Sequence, residues 1–332
     1  MDRKFAIKTI VSLVIVTVLI TIFVLKERQN ISKVGATVEF LLALNGSLFL
    51  IGTASDVGIY NVENGNYESL PSLTESKCIN LQFYDGRSCD HGELYITSDG
   101  CGCLLNSKLK IVRQDSFEDQ LNNRDFDITP NGHIAAFSNS NMATFSWGTE
   151  VTIINLISGM TLKKLENDSI PIFISHNENH SLITAKYSKS RFSHLSEREI
   201  GTWKIKSDLD LRTSPTCMAQ ELNKQKLIVG TEKGTLLFCD ISPLSLSKEI
   251  QVSTHRITAI CPLTNLLIAV GDSKGNIFIV DTATRQKRKL SVSGTCQFVT
   301  CIAYSSSSNS LIAGFWNSRV QYWNLDNIVK LN

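Results

Sequence analysis

The chain has 332 residues, enough for two average domains, and 42% of them are hydrophobic. This composition excludes a disordered or collagen-like chain. The 33 Lys and Arg residues barely exceed the 31 Asp and Glu residues, whereas binding to a nucleic-acid backbone generally requires a basic face. No nucleic-acid partner is therefore expected.

The first element in chain order is an apolar segment near the N-terminus. Residues 10–25 carry no charge, and counted from Phe5 the stretch is 21 residues long with Lys8 as its only charged residue. A helix of that length spans roughly 30 Å, the thickness of a hydrocarbon core. The run exceeds the about 7–15 apolar residues of a signal peptide, and no Ala-x-Ala cleavage site follows it. The sequence therefore predicts an uncleaved single-pass membrane anchor, with a cleaved signal peptide as the alternative.

The side of the membrane that carries the remaining chain stays open at this point. Three basic residues precede the apolar segment and three follow it closely, so the positive-inside comparison is nearly balanced. The short N-terminal flank favours a domain on the outer side. The nine cysteines, an odd number without a framework spacing, favour a reducing compartment.

From Val34 onward the chain repeats one pattern of short alternating apolar runs separated by small-residue turns. Its clearest copies are residues 50–61, 227–240, 267–281 and 311–324. Weaker copies are residues 94–100, residues 134–138 with 151–155, and residues 182–187 with 200–204. The inferred second strands end 40 to 48 residues apart, which gives seven repeats of four short strands.

The turns and strand ends of these repeats resemble those of a known family. Residues 230–235 read Gly-Thr-Glu-Lys-Gly-Thr, and third strands end in Cys239-Asp240, Val280-Asp281 and Trp323-Asn324. In these features the chain is similar to degenerate WD-repeat or quinoprotein-like β-propellers. It departs from the WD pattern because Trp-Asp never occurs and because the only Gly-His pair, at Gly132, precedes an inferred second strand.

The resemblance implies an all-β fold, a seven-bladed β-propeller of four-stranded blades, preceded by one N-terminal transmembrane helix. We place the flank and anchor in residues 1–28, a linker in residues 29–36 and the propeller, expected to be monomeric, in residues 37–332. Four glycines at the ends of second strands are expected to serve tight packing or positive φ angles. They are Gly52, Gly230, Gly271 and Gly314.

Residues with catalytic or metal-binding chemistry form no recognisable constellation. The six histidines are scattered, and neither a nucleophile elbow nor a phosphate-binding glycine loop occurs. Cys89 and His91 with Cys101 and Cys103 could supply four ligands, but a Cys-x-Cys pair on one strand points both thiols to the same face. We expect no enzymatic activity, no metal and no cofactor.

Two segments between inferred second and third strands are longer than the rest. Residues 139–148 and 188–198 are interpreted as insertion loops on one face of adjacent blades, rich in aromatic and arginine side chains typical of protein-binding hot spots. The predicted partner site comprises Phe145, Trp147, Arg191, Phe192, His194 and Arg198. The alternative for Phe145 and Trp147 is that both fold down onto the blades.

A basic run, residues 285–289, leads into an outer strand. Charged residues on an outer strand commonly discourage strand addition, and contact with anionic headgroups or an acidic partner is the alternative.

The sequence thus favours a non-catalytic, membrane-anchored scaffold for other proteins, including membrane-associated ones. The alternatives are a propeller enzyme or cofactor-binding protein that uses the central channel, and an envelope assembly factor. Two arrangements of the chain ends are considered. If residues 328–331 form the outer strand of the last blade, the insertion face is expected near the bilayer. If residues 29–36 supply that strand, the insertion face points away.

Overall fold

The computed structural model of the chain describes residues 31–43, 47–53, 57–69, 81–83, 93–96, 101–105, 111–116, 133–137, 142–147, 150–155, 161–176, 179–188, 191–222, 225–241, 243–292 and 297–326. These residues form β-strands and turns, and no α-helix occurs among them. The all-β prediction is confirmed.

The strands assemble into seven small sheets that follow one another along the chain. Sheet 1 contains β2 (Val38–Ala43), β3 (Leu48–Thr53), β4 (Val57–Asn61) and β5 (Asn66–Ser69). Sheet 2 contains β7 (Glu93–Ile96), β8 (Cys101–Leu105) and β9 (Ile111–Ser116). Sheet 3 contains β10 (His133–Phe137), β11 (Met142–Trp147), β12 (Glu150–Asn155) and β13 (Thr161–Glu166), with β6 (Leu81–Phe83) parallel to β10.

The remaining sheets each have four antiparallel strands. Sheet 4 contains β14 (Asp168–His176), β15 (Asn179–Ser188), β16 (Arg191–Glu199) and β17 (Ile205–Asp210). Sheet 5 contains β18 (Pro215–Gln220), β19 (Lys226–Thr231), β20 (Thr235–Asp240) and β21 (Ser245–Gln251). Sheet 6 contains β22 (Ile257–Pro262), β23 (Leu267–Asp272), β24 (Ile277–Asp281) and β25 (Lys287–Lys289). Sheet 7 contains β26 (Val299–Ser305), β27 (Ser310–Phe315), β28 (Arg319–Asn324) and β1 (Ile31–Lys33).

The hydrophobic core lies between successive sheets, because the second strands are buried on both faces. Along β23, Ile268 and Val270 belong to the cluster shared with sheet 5, whereas Ala269 belongs to the cluster shared with sheet 7. Similar clusters lie between sheets 3 and 4, 4 and 5, and 7 and 1. The fourth strands are more exposed, as β17 and β25 show. Sheets 1 and 3 to 7 therefore depend on their neighbours for burial of their apolar surface.

A recurrent glycine lets neighbouring sheets approach closely. A Cβ built on Gly230 would lie 2.7 Å from Ile257 Cγ2, one on Gly271 would lie 2.5 Å from Val299 Cγ1, and one on Gly314 would lie 2.4 Å from Val38 Cγ1. In each case the glycine is the next-to-last residue of a second strand, and its neighbour is the first residue of the next sheet's first strand. The predicted packing role is confirmed for these three glycines. Sheet 7 packs on sheet 1 through the same contact that joins sheets 5, 6 and 7 in series.

The N-terminal strand completes the last sheet. β1 is antiparallel to β28 and pairs Ile31 with Gln321 and Lys33 with Arg319. Val34 continues the ladder by donating its N–H to the Ser318 carbonyl oxygen at 3.1 Å. The outer strand of sheet 7 is thus supplied by the segment assigned to the linker, as in the second arrangement of the chain ends. Residues 328–331 lie outside the described residues.

The clear repeat copies are confirmed as strand pairs, but the interpretation of residues 139–148 and 188–198 as insertion loops is wrong. Residues 142–147 form β11, the second strand of sheet 3, and residues 134–137 belong to its first strand rather than its second. Residues 191–199 form β16, the third strand of sheet 4, and residues 200–204 form the turn that follows it. Both segments pair on both sides with neighbouring strands, which satisfies their backbone groups as a loop could not.

Candidate interaction surfaces

The antiparallel sheets place their connections on two faces. The upper face is formed by the turns between second and third strands and by the connections between sheets, for example residues 253–256, 273–276 and 316–318. The lower face is formed by the turns between first and second strands and between third and fourth strands, for example residues 199–204, 263–266 and 282–286.

Hydrogen bonds between sheets keep each face continuous. On the upper face, Thr216 Oγ1 donates to the Ile257 carbonyl oxygen at 2.6 Å, and Thr37 Oγ1 donates to the Trp316 carbonyl oxygen at 2.8 Å. Near the lower face, the Leu244 N–H donates to Ser207 Oγ at 3.2 Å. Equivalent ends of neighbouring sheets therefore lie side by side.

A polar cluster on the upper face contains a serine, a histidine and an aspartate. Ser253 Oγ donates to Asp272 Oδ2 at 2.7 Å, and His255 Nδ1 lies 3.7 Å from the same oxygen. Asp272 is fully buried and also accepts the N–H groups of Lys274 and Asn276, both at 2.9 Å. The carboxylate thereby holds the second-to-third turn of sheet 6 against the connection from sheet 5.

This cluster is not arranged for nucleophilic catalysis. In a catalytic triad the histidine lies between nucleophile and carboxylate, so that it can take the hydroxyl proton. Here the Ser253 hydroxyl donates directly to Asp272, and Ser253 Oγ and His255 Nδ1 are 3.4 Å apart. The geometry indicates a turn-stabilising role.

Arg198, one of the predicted site residues, forms a buried ion pair within sheet 4. Its Nη2 and Nε lie 2.8 and 3.0 Å from Asp168 Oδ2, and its Nη1 donates to the Trp203 carbonyl oxygen at 3.2 Å. The Asp168 side chain is 0% exposed and that of Arg198 is 12% exposed. Burial raises the pKa of Asp168 from its ordinary value, and the Arg198 charge acts in the opposite direction. Arg198 therefore stabilises the sheet and presents little surface to a partner.

His194 is more accessible than Arg198. It lies on β16, where its Nδ1 is 3.2 Å from Asp208 Oδ2 on the adjacent outer strand, β17. Both side chains are partly exposed, so this pair lies at the surface of sheet 4.

The other four predicted site residues lie on strands that flank upper-face turns. Phe145 pairs with Thr152 and Trp147 with Glu150 across the second-to-third turn of sheet 3. Arg191 and Phe192 begin β16, directly after the corresponding turn of sheet 4. Because β14 of sheet 4 packs against β10, β11 and β12 of sheet 3, the backbones of all four belong to one end of two adjoining sheets. Their role as a partner site stays a prediction.

The cysteine positions considered for zinc are only partly described. Cys101 and Cys103 lie on one strand, β8, as the sequence predicted, whereas Cys89 and His91 lie outside the described residues. Cys217, Cys239, Cys261 and Cys301 form no disulfide bond among the described residues. Within the described part of the chain, no group of three or more His, Cys, Asp or Glu side chains could hold a metal ion.

Sequence reasoning missed the exposed hydrophobic side chains of the described residues. Trp316, in the upper-face turn of sheet 7, is 44% exposed and contacts Phe298 edge-on with ring centroids 6.4 Å apart. Five aliphatic side chains lie exposed on or beside the lower face, namely Leu162, Ile205, Leu222, Leu246 and Leu266. The sequence feature that marks these exposed side chains is a large apolar residue within a turn or at the start of a fourth strand, where the repeats otherwise place polar residues.

The predicted membrane anchor falls in residues 1–30, outside the described part of the chain. Among the residues that are described, no helix has the length and apolar character needed to cross a membrane.

Comparison with known proteins gives one distant and partial likeness. Over an alignment of 128 residues that covers 37% of this chain, the chain is 27% identical to the "66 kDa stress protein" of Physarum polycephalum. The match covers 21% of that protein's length. No protein-family model matches the chain.

Proposed function

We propose that the chain folds as a seven-bladed, WD-repeat-like β-propeller. The main support is the packing of sheet 7 on sheet 1, because Gly314 meets Val38 as Gly230 meets Ile257 and Gly271 meets Val299. A linear stack of sheets would leave the first and last sheets apart. In a radial arrangement they become neighbours, and most strand edges are protected.

Closure of this ring is tested at the junction of sheets 1 and 2. Gly52 is the next-to-last residue of β3, and Leu81 is the first residue of β6. β6 is parallel to β10 at the edge of sheet 3, and because it precedes β7 in the chain we propose that it serves as the first strand of the second blade. If this junction repeats the glycine contact seen between sheets 5, 6, 7 and 1, Leu81 should pack on Gly52. Gly52→Ala should then destabilise the protein by about 1–3 kcal/mol through overpacking, and Leu81→Ala should relieve part of that loss in a double-mutant cycle measured by chemical denaturation. Strictly additive effects would contradict closure at this junction.

We further propose that the propeller is a non-catalytic scaffold, anchored to a membrane by residues 1–28, that binds other proteins through its upper face. The observation that carries this function is the exposed Trp316, fixed by its backbone hydrogen bonds to Phe298 and Thr37 and by the Phe298 ring. Rigid exposed aromatic residues commonly provide binding energy at protein interfaces. The positions of Phe145, Trp147, Arg191 and Phe192 extend the same face across sheets 3 and 4.

The scaffold function is tested with the full chain in its native membranes. A photo-crosslinking residue is placed at Trp316 or Trp147, and at Leu266 on the lower face as the matched control. We expect one protein partner to be captured from both upper-face positions and absent from the control. Trp316→Ala should weaken binding of that purified partner by about tenfold or more, with an unchanged circular dichroism spectrum. Equal capture from all three positions, or unchanged affinity, would contradict an upper-face partner site.

A further inference from the structure

The direction of the N-terminal strand shows toward which face the preceding chain runs. β28 starts after the upper-face turn 316–318 and runs toward the lower face. β1 is antiparallel to β28 and pairs Lys33 with Arg319 at the upper end and Ile31 with Gln321 in the middle of that strand. Followed backwards from Lys33 to Ile31, the chain therefore runs toward the lower face.

Most of the exposed large hydrophobic side chains of the described residues lie on the lower face. Six such side chains are exposed in the described part of the chain, and of these only Trp316 is on the upper face. Leu222 and Leu266, each 54% exposed, lie in the first-to-second turns of sheets 5 and 6. The other three are within the first two residues of the fourth strands of sheets 3, 4 and 5, next to lower-face turns; they are Leu162, Ile205 and Leu246.

Exposed basic side chains lie on sheet 6, the neighbour of the sheet that contains β1. Arg285 is in the lower-face turn of sheet 6, and Arg288 follows on its outer strand, both exposed. Asp281, the acidic residue of this turn, accepts the N–H groups of Ala283 and Thr284, and these hydrogen bonds lower its pKa. The Asp281 carboxylate is therefore ionised next to the two arginines.

We infer that the lower face rests on the surface of the bilayer, with its leucine side chains at the headgroup level and Arg285 and Arg288 near the phosphates of anionic lipids. This inference rests on the proposed membrane anchor. Only residues 26–30 separate the apolar segment from β1, a link that reaches about 20 Å when fully extended. So short a link holds the lower end of sheet 7 close to the membrane. Exposed leucines gain by leaving water, and each basic residue near an anionic surface contributes about fivefold in affinity.

The inference is tested with the full chain reconstituted into vesicles of phosphatidylcholine, with and without phosphatidylserine. A fluorescent amino acid is placed at Leu222 or Leu266 on the lower face, and at Lys274 on the upper face as the matched control. Lipids that carry a quencher near the headgroup are then added to the vesicles. We expect strong quenching at both leucine positions and little at Lys274. Phosphatidylserine should increase the lower-face quenching, and the double substitution R285Q/R288Q should abolish that increase.

The outcomes separate failure of this inference from failure of the proposed anchor. A chain that does not float with the vesicles on a density gradient would refute the anchor. A chain that floats, yet shows equal quenching at Leu266 and Lys274 or stronger quenching at Lys274, would overturn the lower-face contact while leaving the anchor intact. Lower-face quenching that does not depend on phosphatidylserine would overturn the role assigned to the two arginines.

Discussion

The thiols of Cys217 and Cys239 are buried between sheets, and this burial raises the pKa of each to about 12. At pH 8 only about one thiol in ten thousand is then ionised, and the thiolate is the reactive form. We therefore expect both to resist alkylation by iodoacetamide in the native protein at pH 8 and to react fully in denaturant, as measured by peptide mass spectrometry. Alkylation at similar rates in both conditions would contradict their buried placement.

The Asp168–Arg198 pair is the residue-scale contact with the largest expected effect on stability. Arg198→Met would leave the Asp168 carboxylate buried without its cation, and loss of one partner of a buried pair typically costs about 3–5 kcal/mol. The double variant R198M/D168N, which removes both charges, should recover much of this loss. His194→Gln on the same strand is the matched control, because its partly exposed pair with Asp208 should contribute about 1 kcal/mol or less. Chemical denaturation at neutral pH measures all three.

The same pair gives the Arg198→Met variant a defined pH dependence. Burial already raises the pKa of Asp168 above its ordinary value of 3.8, and removal of the arginine raises it further. The folded variant then keeps a proton that the unfolded chain has released, so its stability falls as the pH rises from about 3.8 through the folded-state pKa. We expect the stability difference from the unsubstituted protein to shrink as the pH is lowered through that window. A difference that stays constant with pH would contradict this origin.

At the scale of the elements, the glycine contacts between sheets yield a coupled prediction. Gly271→Ala places a methyl group against Val299, and overpacking of this kind costs about 1–3 kcal/mol. Val299→Ala removes two methyl groups at the same place and leaves a cavity. Because the new methyl can occupy part of that cavity, the double variant should be more stable than the sum of the single effects by about 0.5 kcal/mol or more. Additive effects, measured by chemical denaturation, would contradict the contact.

The sequence predicted the elements well where two strands and their turn share one pattern. Residues 227–240 and 267–281 have buried aliphatic second strands and turns with glycine at positive φ, as at Gly234 and Gly275. Residues 139–148 were interpreted as a loop although Thr144 and Ser146 alternate with Ala143, Phe145 and Trp147, which is the period of a strand. Residues 188–198 have no such alternation, since their two large apolar residues, Phe192 and Leu195, are three positions apart.

The candidate site was less predictable than the fold, since a strand pattern does not show which charges will pair. Arg198 was expected on an exposed loop, but Asp168, 30 residues earlier, lies within reach of its guanidinium in sheet 4. The exposed leucines of the lower face could not be recognised from composition, because single apolar residues on a surface are common. Only their shared position across sheets 3 to 6 sets them apart.

At the scale of the whole molecule, the structure distinguishes the two arrangements of the chain ends that the sequence left open. Residues 31–33 lie in the segment assigned to the linker, and they form the outer strand of sheet 7 and direct the N-terminal segment toward the lower face. A strand of three residues carries too weak a pattern to be distinguished from a linker, and its partner β28 is nearly 300 residues away in the chain. The sequence therefore offered this pairing only as an alternative.

This pairing leads to a prediction about two N-terminal truncations that differ by three residues. Removal of residues 1–30 keeps β1, whereas removal of residues 1–33 deletes it and leaves β28 as an unpaired edge. A ladder hydrogen bond contributes about 0.5–1.5 kcal/mol, and the loss of this short ladder should lower the melting temperature by on the order of 5 °C. The exposed edge of β28 should also promote association. Differential scanning calorimetry and light scattering compare the two fragments, both expected to show a β-type circular dichroism spectrum. If residues 328–331 formed the outer strand instead, the two fragments would melt together and both would stay monomeric.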